Sequence, residues 1–416
     1  MLTHWIWLAH RPGLGDRMKL RLLQHFGSPE NIFFADNGAF DHIEGISGEG
    51  KAALADQDLS PAEKILKDCR RAKLHILTIA DAAYPVRLKN IDDPPILLYY
   101  KGTLPEFDAL PMIGVVGTRK ASLYGLQTAK RLGYQIGCCG GVVVSGMAAG
   151  IDSMAMSGAL SAGQATVGVL GCGADVIYPS SNRSLFRDVE ENGCILSEFP
   201  PGTPPAKWTF PKRNRIISGL SCGVLVAEAP EESGSLITAR NAADQGRDVF
   251  AVPGNIDLPS FAGSNRLLRE GAIVVSSGWD VVSEYQGIYP DKIRRADAPA
   301  HLTVTVEELR KQAENPLPKV AQNPALPGKK KALKKELEKK PIDKAASSSY
   351  SDVNTTFAGR TPEELQVLQC LQKGERPVDE IIAETGLTTG KMLAVMTMLE
   401  LDGIIRRLPG KRISLK

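Results

Sequence analysis

A chain of 416 residues is too long for one ordinary domain, and at about 150 residues per domain two to four are expected. Its 43% hydrophobic and 23% charged residues are the composition of a folded soluble protein, which excludes global disorder, collagen and coiled coil. The net charge of +3 averages unlike parts: between Pro316 and Lys344 nine lysines face three acids, a local excess of six that leaves the rest of the chain at −3.

No apolar run reaches the roughly 18 to 20 residues that cross a bilayer, and the opening MLTHWIWLAHRPG lacks a basic n-region and a sustained apolar core, so a cytoplasmic protein with no membrane span is expected. Seven cysteines with no C-x-x-C pair, mostly in apolar or Gly-rich surroundings, read as reduced core thiols. No histidine falls between His75 and His301, which argues against a His-based triad or a His-liganded metal in the central region.

In chain order, residues 1–72 read as short helices. Two Gly-containing turns, in PGLGDRMKL from Pro12 and IEGISGEGKAAL from Ile43, each lead into a helix in the manner of a SAM or helix-hairpin-helix domain. Such turns either offer amides to a phosphate or use Gly only to pack two helices closely. Residues 73–286 alternate apolar runs with helical stretches. LHILTI (74–79), PILLYYKG (95–102), MIGVVG (112–117), GVVVSG (141–146), ATVGVLG (165–171), GVLVAEA (223–229), DVFAVPG (248–254) and GAIVV (271–275) are predicted strands. They are continuously apolar, as strands buried on both faces of a parallel sheet are, and helices are expected over 122–137, 150–162 and 235–246. This is the β-α-β rhythm of a doubly wound, Rossmann-like α/β core with a mostly parallel sheet. Residues 287–358 lose that rhythm to Pro, Ala, Lys and Ser and read as a basic linker. Residues 359–416 regain it: three helices, the first capped by Thr361, and a hairpin about Pro409-Gly410 predict a winged helix.

Ligands of open α/β sheets sit at the carboxyl ends of strands. Two such places carry small residues and helix starts: Gly117-Thr118-Arg119-Lys120 after MIGVV, and Ser145-Gly146 leading to Met147-Ala148-Ala149-Gly150-Ile151-Asp152. Gly there suits either an anion or a tight turn. Charge is segregated as a polyanion site needs: no acid lies between Ala109 and Ile151 or between Phe199 and Ala227, while Arg119, Lys120, Lys207, Lys212, Arg213 and Arg215 do. In KWTFPKRNRIISGLS (207–221), read as a loop, Trp208 and Phe210 interleave with the cations, the pattern of a groove that stacks single-stranded bases or of aromatics that anchor the loop to the core. No P-loop motif and no G-x-G-x-x-G after a strand is present. Asp152, Glu198 and Glu228 are single carboxylates near strand ends, equally suited to acid/base work, helix capping or pairing with Arg213 or Arg215.

The chain resembles the DNA-processing protein A (DprA, or Smf) family. The residues that carry the resemblance include DPPILLYYKG (93–102), GVVGTRKASLYG (114–125), SGMAAGIDSMA (145–155), GVLGCGADVIYPSSNRSLF (168–186), ILSEFPPGTPP (195–205), FPKRNRIISGLS (210–221), VAEAPEESGSLITARNAADQGRDVFAVPG (226–254) and GSNRLLREGA (263–272). It implies an extended Rossmann-like core that forms a homodimer, binds and protects single-stranded DNA, and helps load the RecA recombinase in natural transformation or recombination, with no cofactor, metal or nucleotide hydrolysis. By motif position Arg119, Lys120, Lys212, Arg213 and Arg215 would hold phosphates, Gly117, Ser145 and Gly146 would allow close backbone approach, Phe210 would stack, and Asn182 and Asn214 would make polar contacts or fix loops. The segment 263–275 is the implied dimer or recombinase surface. Two other readings stay open: a phosphoribohydrolase-like nucleotide enzyme, from SGSLITARNA (233–242), and a winged-helix transcription regulator, although Lys391 alone among the cations lies on the third helix.

Overall fold

The computed structural model describes residues 2–296, 304, 305 and 308, then 361–371, 374–387 and positions scattered from 391 to 415. Met1–Ala321 form one compact unit and Gln322–Lys416 a second. The lysine-rich stretch 316–344 lies outside the described residues.

The first unit opens with five helices, α1 (Leu2–Ala9), α2 (Asp16–Phe26), α3 (Pro29–Phe33), α4 (Gly48–Ala55) and α5 (Ser60–Ala72). Gly13 and Gly45, at φ of +68° and +82°, make the turns that precede α2 and α4. Ser28 and Ser47 cap α3 and α4 by accepting from Asn31 N and Gly50 N. Ile6, Trp7, Leu22, Ile32 and Phe40 are buried among these helices, in a core continuous with that of the sheet.

That sheet has nine strands: β1 (His75–Thr78), β2 (Leu97–Gly102), β3 (Met112–Val116), β4 (Val142–Ser145), β5 (Thr166–Val169), β6 (Cys194–Ser197), β7 (Gly223–Val226), β8 (Asp248–Ala251) and β9 (Ile273–Val274). Their order is β1-β2-β6-β5-β4-β3-β7-β8-β9. From β6 to β9 all neighbours are parallel, whereas β2 runs antiparallel to β6 and to β1. All eight predicted strands form. β6 is a ninth that the strand reading omitted, because its four residues stand among turn-forming Gly and Pro. β3 to β7 are wholly buried, which explains their unbroken apolar sequences.

Numbering α6 as Val86–Lys89, helices α7 (Leu123–Cys138), α8 (Ile151–Ser161) and α9 (Arg183–Asn192) follow β3, β4 and β5, and pack against the strands they join. The return from β6 to β7 passes through α10 (Thr209–Leu220), which packs on β3, β4 and β5. α11 (Ser235–Asp244) and α12 (Ala262–Arg269) follow β7 and β8. The segment read as a loop is therefore a helix from Thr209. Pro211 obscured it, yet in a helix's first turn a missing N–H removes no intrahelical bond. The core also extends past the expected boundary at 286, since Tyr289, Ile293 and Val304 are buried in it and Glu308 pairs with Lys130 at 2.8 Å.

The second unit holds helices Pro362–Leu371 and Val378–Thr385 and a three-stranded antiparallel sheet of Arg376–Pro377, Ile405–Leu408 and Arg412–Leu415. Thr361 and Glu364 form the expected capping box. Lys391, Met392, Val395, Met396, Leu399 and Glu400 are helical, and the hairpin tip at Pro409-Gly410 lies outside the described residues.

Helices α7 and α8 approach closely enough that a Cβ on Gly133 would sit 2.0 Å from the Ala155 carbonyl oxygen, and one on Gly158 the same distance from that of Lys130. Gly133→Ala is expected to lose about 1 to 3 kcal/mol by overpacking. Urea unfolding checks this, and an unchanged midpoint contradicts it.

Candidate nucleic-acid interface

Successive connections from β3 run one way to β4, β5 and β6, while β7 starts on the other side of β3 and leads to β8 and β9. The switch point lies between the carboxyl ends of β3 and β7, where Thr118 N donates to Glu228 O at 2.8 Å. A cleft of about 320 Å³ opens there, walled by Thr118 and Arg119 after β3, Asp152 at the start of α8, Phe210 and Arg213 on α10, and Ser233 to Ser235 at the start of α11.

Each wall is fixed by local chemistry. Glu228, fully buried, accepts from Ser122 N and Oγ, and Ser122 Oγ accepts from Gly125 N, so the strand-end carboxylate seats the start of α7. Asp152 accepts from Gly146 N at 3.1 Å, and Asn182 Nδ2 donates to Met147 O at 2.9 Å. These bonds hold Met147 at φ +53°, unusual for a side chain with a Cβ. Arg213 is buried with its guanidinium against Gly146, donating from Nη1 to Val169 O at 2.5 Å. Burial pushes the Arg213 pKa down to about 10, against the pull of Asp152, which leaves the guanidinium charged at neutral pH; burial raises that of Asp152, opposed by Arg213 and Arg119.

On the open side, the Arg119 guanidinium lies 4.7 Å from the centroid of the half-buried Phe210 ring, and Lys120 is exposed. Opposite them the turn into α11 closes on itself: Ser233 Oγ accepts from Ser235 N at 3.3 Å, and the amides of Leu236 and Ile237 donate to Ser233 O and Gly234 O, so this wall meets the cleft with Ser233, Gly234 and Ser235. SGSLITARNA thus supplies a wall of the same cleft as the GTRK turn.

The cations of α10 divide. Lys212 Nζ lies 2.7 Å from Glu198 Oε1 and 3.3 Å from Asp16 Oδ2. Arg215 is buried and bridges Glu198 (2.5 Å), Asp16 (2.9 Å) and Asp93 (3.1 Å). Burial works against its charge, but Glu198, Asp16 and Asp93 outweigh that and raise its pKa; likewise burial disfavours the Asp16 carboxylate, yet Lys19, Lys212 and Arg215 bring its pKa below the ordinary value.

The structure therefore brings together Gly117, Arg119, Phe210, Arg213 and Asn214 around one cleft, with Lys120 beside it, turns Ser145, Gly146, Asn182 and Arg215 inward, and leaves Lys212 half-exposed in its ion pairs. Ser145 is wholly buried and donates to Val115 O, Asn182 fixes the β4–α8 loop, and Asn214 donates to Gly234 O. Gly117 and Gly146 are both closely packed: a Cβ at 117 would lie 2.5 Å from Ile151, and one at 146 would lie 2.0 Å from the Arg213 guanidinium. The three strand-end carboxylates are a helix-seating group (Glu228), a loop tie (Asp152) and an ion-pair partner (Glu198). Sequence reasoning missed Asp16 and Asp93, which reach α10 only through the fold. Cys69, Cys138, Cys139, Cys172, Cys194 and Cys222 form no disulfide, and burial pushes the thiol of Cys172 up to about 12 and that of Cys69 up to about 11. Among the described residues no helix is long and apolar enough to cross a membrane, and no cluster of His, Cys, Asp or Glu could hold a metal.

Fold and cleft define a doubly wound α/β protein with a partly aromatic cleft holding Arg119 and Arg213 at its switch point, carrying a winged helix. The chain belongs to the DNA-processing protein A (DprA/Smf) family: the model of DNA recombination-mediator protein A matches residues 75–286, and that of the DprA winged helix domain residues 354–411. It is 31% identical to Protein Smf of Synechocystis sp. over 99% of this chain and 98% of that one, and 42% identical to DNA processing protein DprA of Bacillus subtilis over 53% and 74%. The X-ray structure of DNA processing protein A from Streptococcus pneumoniae aligns with a TM-score of 0.61 at 36% identity, over 68% of this chain and 98% of its own.

Two predictions follow from the buried charges. Arg215→Ala leaves Glu198 and Asp16 with a reduced set of partners and should lose about 3 to 5 kcal/mol of stability, measured by urea unfolding; a loss below 1 kcal/mol would show that the cluster does not hold α10. His10 bonds the Tyr99 hydroxyl at 2.7 Å, and burial first, then Lys19 and Lys212, bring its pKa from 6.5 to about 4. The unfolded chain therefore binds a proton at this site that the folded protein refuses, so stability contributed above pH 6.5 is lost as pH falls towards 4. His10→Gln should flatten that part of the pH–stability curve, and a curve parallel to the wild type contradicts the assignment.

Proposed function

We propose that this chain binds single-stranded DNA at the switch-point cleft and acts as a recombination mediator that delivers the strand to a RecA-type recombinase, without hydrolysing nucleotide. The observation that carries the reading is the pairing of Arg119 with the Phe210 ring at the switch-point cleft. A phosphate fits against the Arg119 guanidinium, and a base fits against the Arg119–Phe210 platform. Duplex DNA gains nothing from such a platform because its bases are already stacked.

Lys120 adds charge at the rim. Lys212, 40% exposed at its side chain, is the α10 cation best placed to meet a phosphate, while Arg213 and Arg215 act by building the walls. Gly117, Ser145, Gly146, Asn182 and Asn214 act in the same way, through the shape of the loops. The structure gives no support to a hydrolase reading, because Asp152 in the cleft and the nearby strand-end carboxylates Glu228 and Glu198 are all engaged by protein groups. A homodimer is proposed at β9, an edge strand on which Ile273 and Val274 are 37% and 60% exposed.

Arg119→Glu should weaken binding of an oligothymidine at least ten-fold and flatten the fall of affinity with added salt, since a phosphate contact is lost. Competition between the oligothymidine and a duplex of equal length, read by fluorescence anisotropy, should favour the single strand in the wild type. Equal affinity of wild type and Arg119→Glu, or preference for the duplex, contradicts the proposal.

A further inference from the structure

Beside the switch-point cleft, across the start of α10, a second cleft of about 360 Å³ is walled by Phe199, Trp208 and Lys212 of the core and by His10, which follows α1. Trp208 is 63% exposed, so it does not anchor its segment to the core. The other three tryptophans are buried or half-buried. An edge-to-face contact with Phe199, with centroids 5.7 Å apart and planes at 78°, fixes the indole in place, and Lys212 Nζ lies 5.9 Å from the Phe199 ring centroid. A large aromatic ring that is held in position yet open to solvent is a preorganised stacking surface.

The electrostatics allow an anionic strand. The two carboxylates of this cleft, Asp16 and Glu198, are both paired with Lys212 and Arg215, and Lys207 next to Trp208 is exposed. The two clefts are lined by successive residues of one segment. Trp208 and Phe210 stand two residues apart at the entry to α10, with Pro211 lining the first cleft and Lys212 the second.

We propose that the second cleft is a base-stacking subsite for the neighbouring nucleotides of the same single strand, with Trp208 as its stacking face, Lys207 at the phosphates, and the N-terminal helices supplying its far wall. This inference rests on the single-strand reading above. It gives the N-terminal helices a place in recognition, and it makes affinity depend on strand length, because only an oligonucleotide long enough to leave the first cleft reaches Trp208.

The full chain, Trp208→Ala and Trp208→Phe are titrated with oligothymidines of increasing length at one salt concentration. The exposed position makes both variants folding-neutral, which thermal melting checks. Trp208→Ala should lose about ten-fold in affinity for the longer oligonucleotides and nothing for the shortest that bind, Trp208→Phe should restore most of the loss, and long oligonucleotides should quench a part of the tryptophan fluorescence that is missing in Trp208→Phe. Wild-type binding that Trp208→Ala leaves unchanged at every length overturns the subsite alone, as does an equal loss at every length, which would place Trp208 in the first cleft. Failure of the wild type to bind any single strand overturns the functional reading together with the subsite.

Discussion

The structure turns on the buried ion cluster in which Glu198 and Asp16 are shared between Lys212 and Arg215, with Asp93 completing the set around Arg215. Taking these charges out of water is costly, and only mutual pairing offsets it. The cluster therefore leaves α10 one seat relative to the end of β6, which precedes Glu198, and to the start of α2, which carries Asp16. It also sorts the cations: Arg215 is neutralised inside the protein, while Arg119, Lys120 and Lys207 keep their field outside.

With α10 seated, the switch-point cleft follows. Arg213 is driven into the space that Gly146 leaves empty, where it bonds the end of β5 and stands beside Asp152. Phe210, one turn earlier, is then presented to Arg119 from the neighbouring strand end. The glycines at 117 and 146 serve this convergence, letting helices and a guanidinium approach the strand ends. The result is a site whose ligand-facing groups are few and whose supporting groups are buried, the arrangement that lets a cleft bind without first reorganising.

Much of this was legible in the sequence. Unbroken apolar runs marked eight of nine strands, and in β3, β4, β5 and β7 burial on both faces leaves no room for alternation. Arg119 and Phe210 stood out because cations and an aromatic ring occupied acid-free segments. The fate of Lys212 and Arg215 was not legible, and the reason is geometric. A window of sequence from Phe199 to Ala227 holds no acid, yet Glu198 lies one residue outside it, and Asp93 and Asp16 arrive from more than a hundred residues away. Segregation of charge along a chain shows where cations are gathered but not whether the fold has already answered them. α10 was hidden for a local reason, since Pro211 reads as a loop until it is placed in a helix's first turn, and β6 was hidden by the turn-forming Gly193 and Pro200 on either side of it.

The central claim is that a single strand is held at the switch point, against Phe210 and Arg119. Photo-crosslinking of an oligothymidine carrying 5-iodouracil to the full-length wild-type chain, followed by peptide mapping, tests it most directly. The account predicts adducts within residues 207–221, at Phe210 foremost, and in the turn after β3. Adducts confined to the lysine-rich stretch 316–344 or to the winged-helix unit would contradict it.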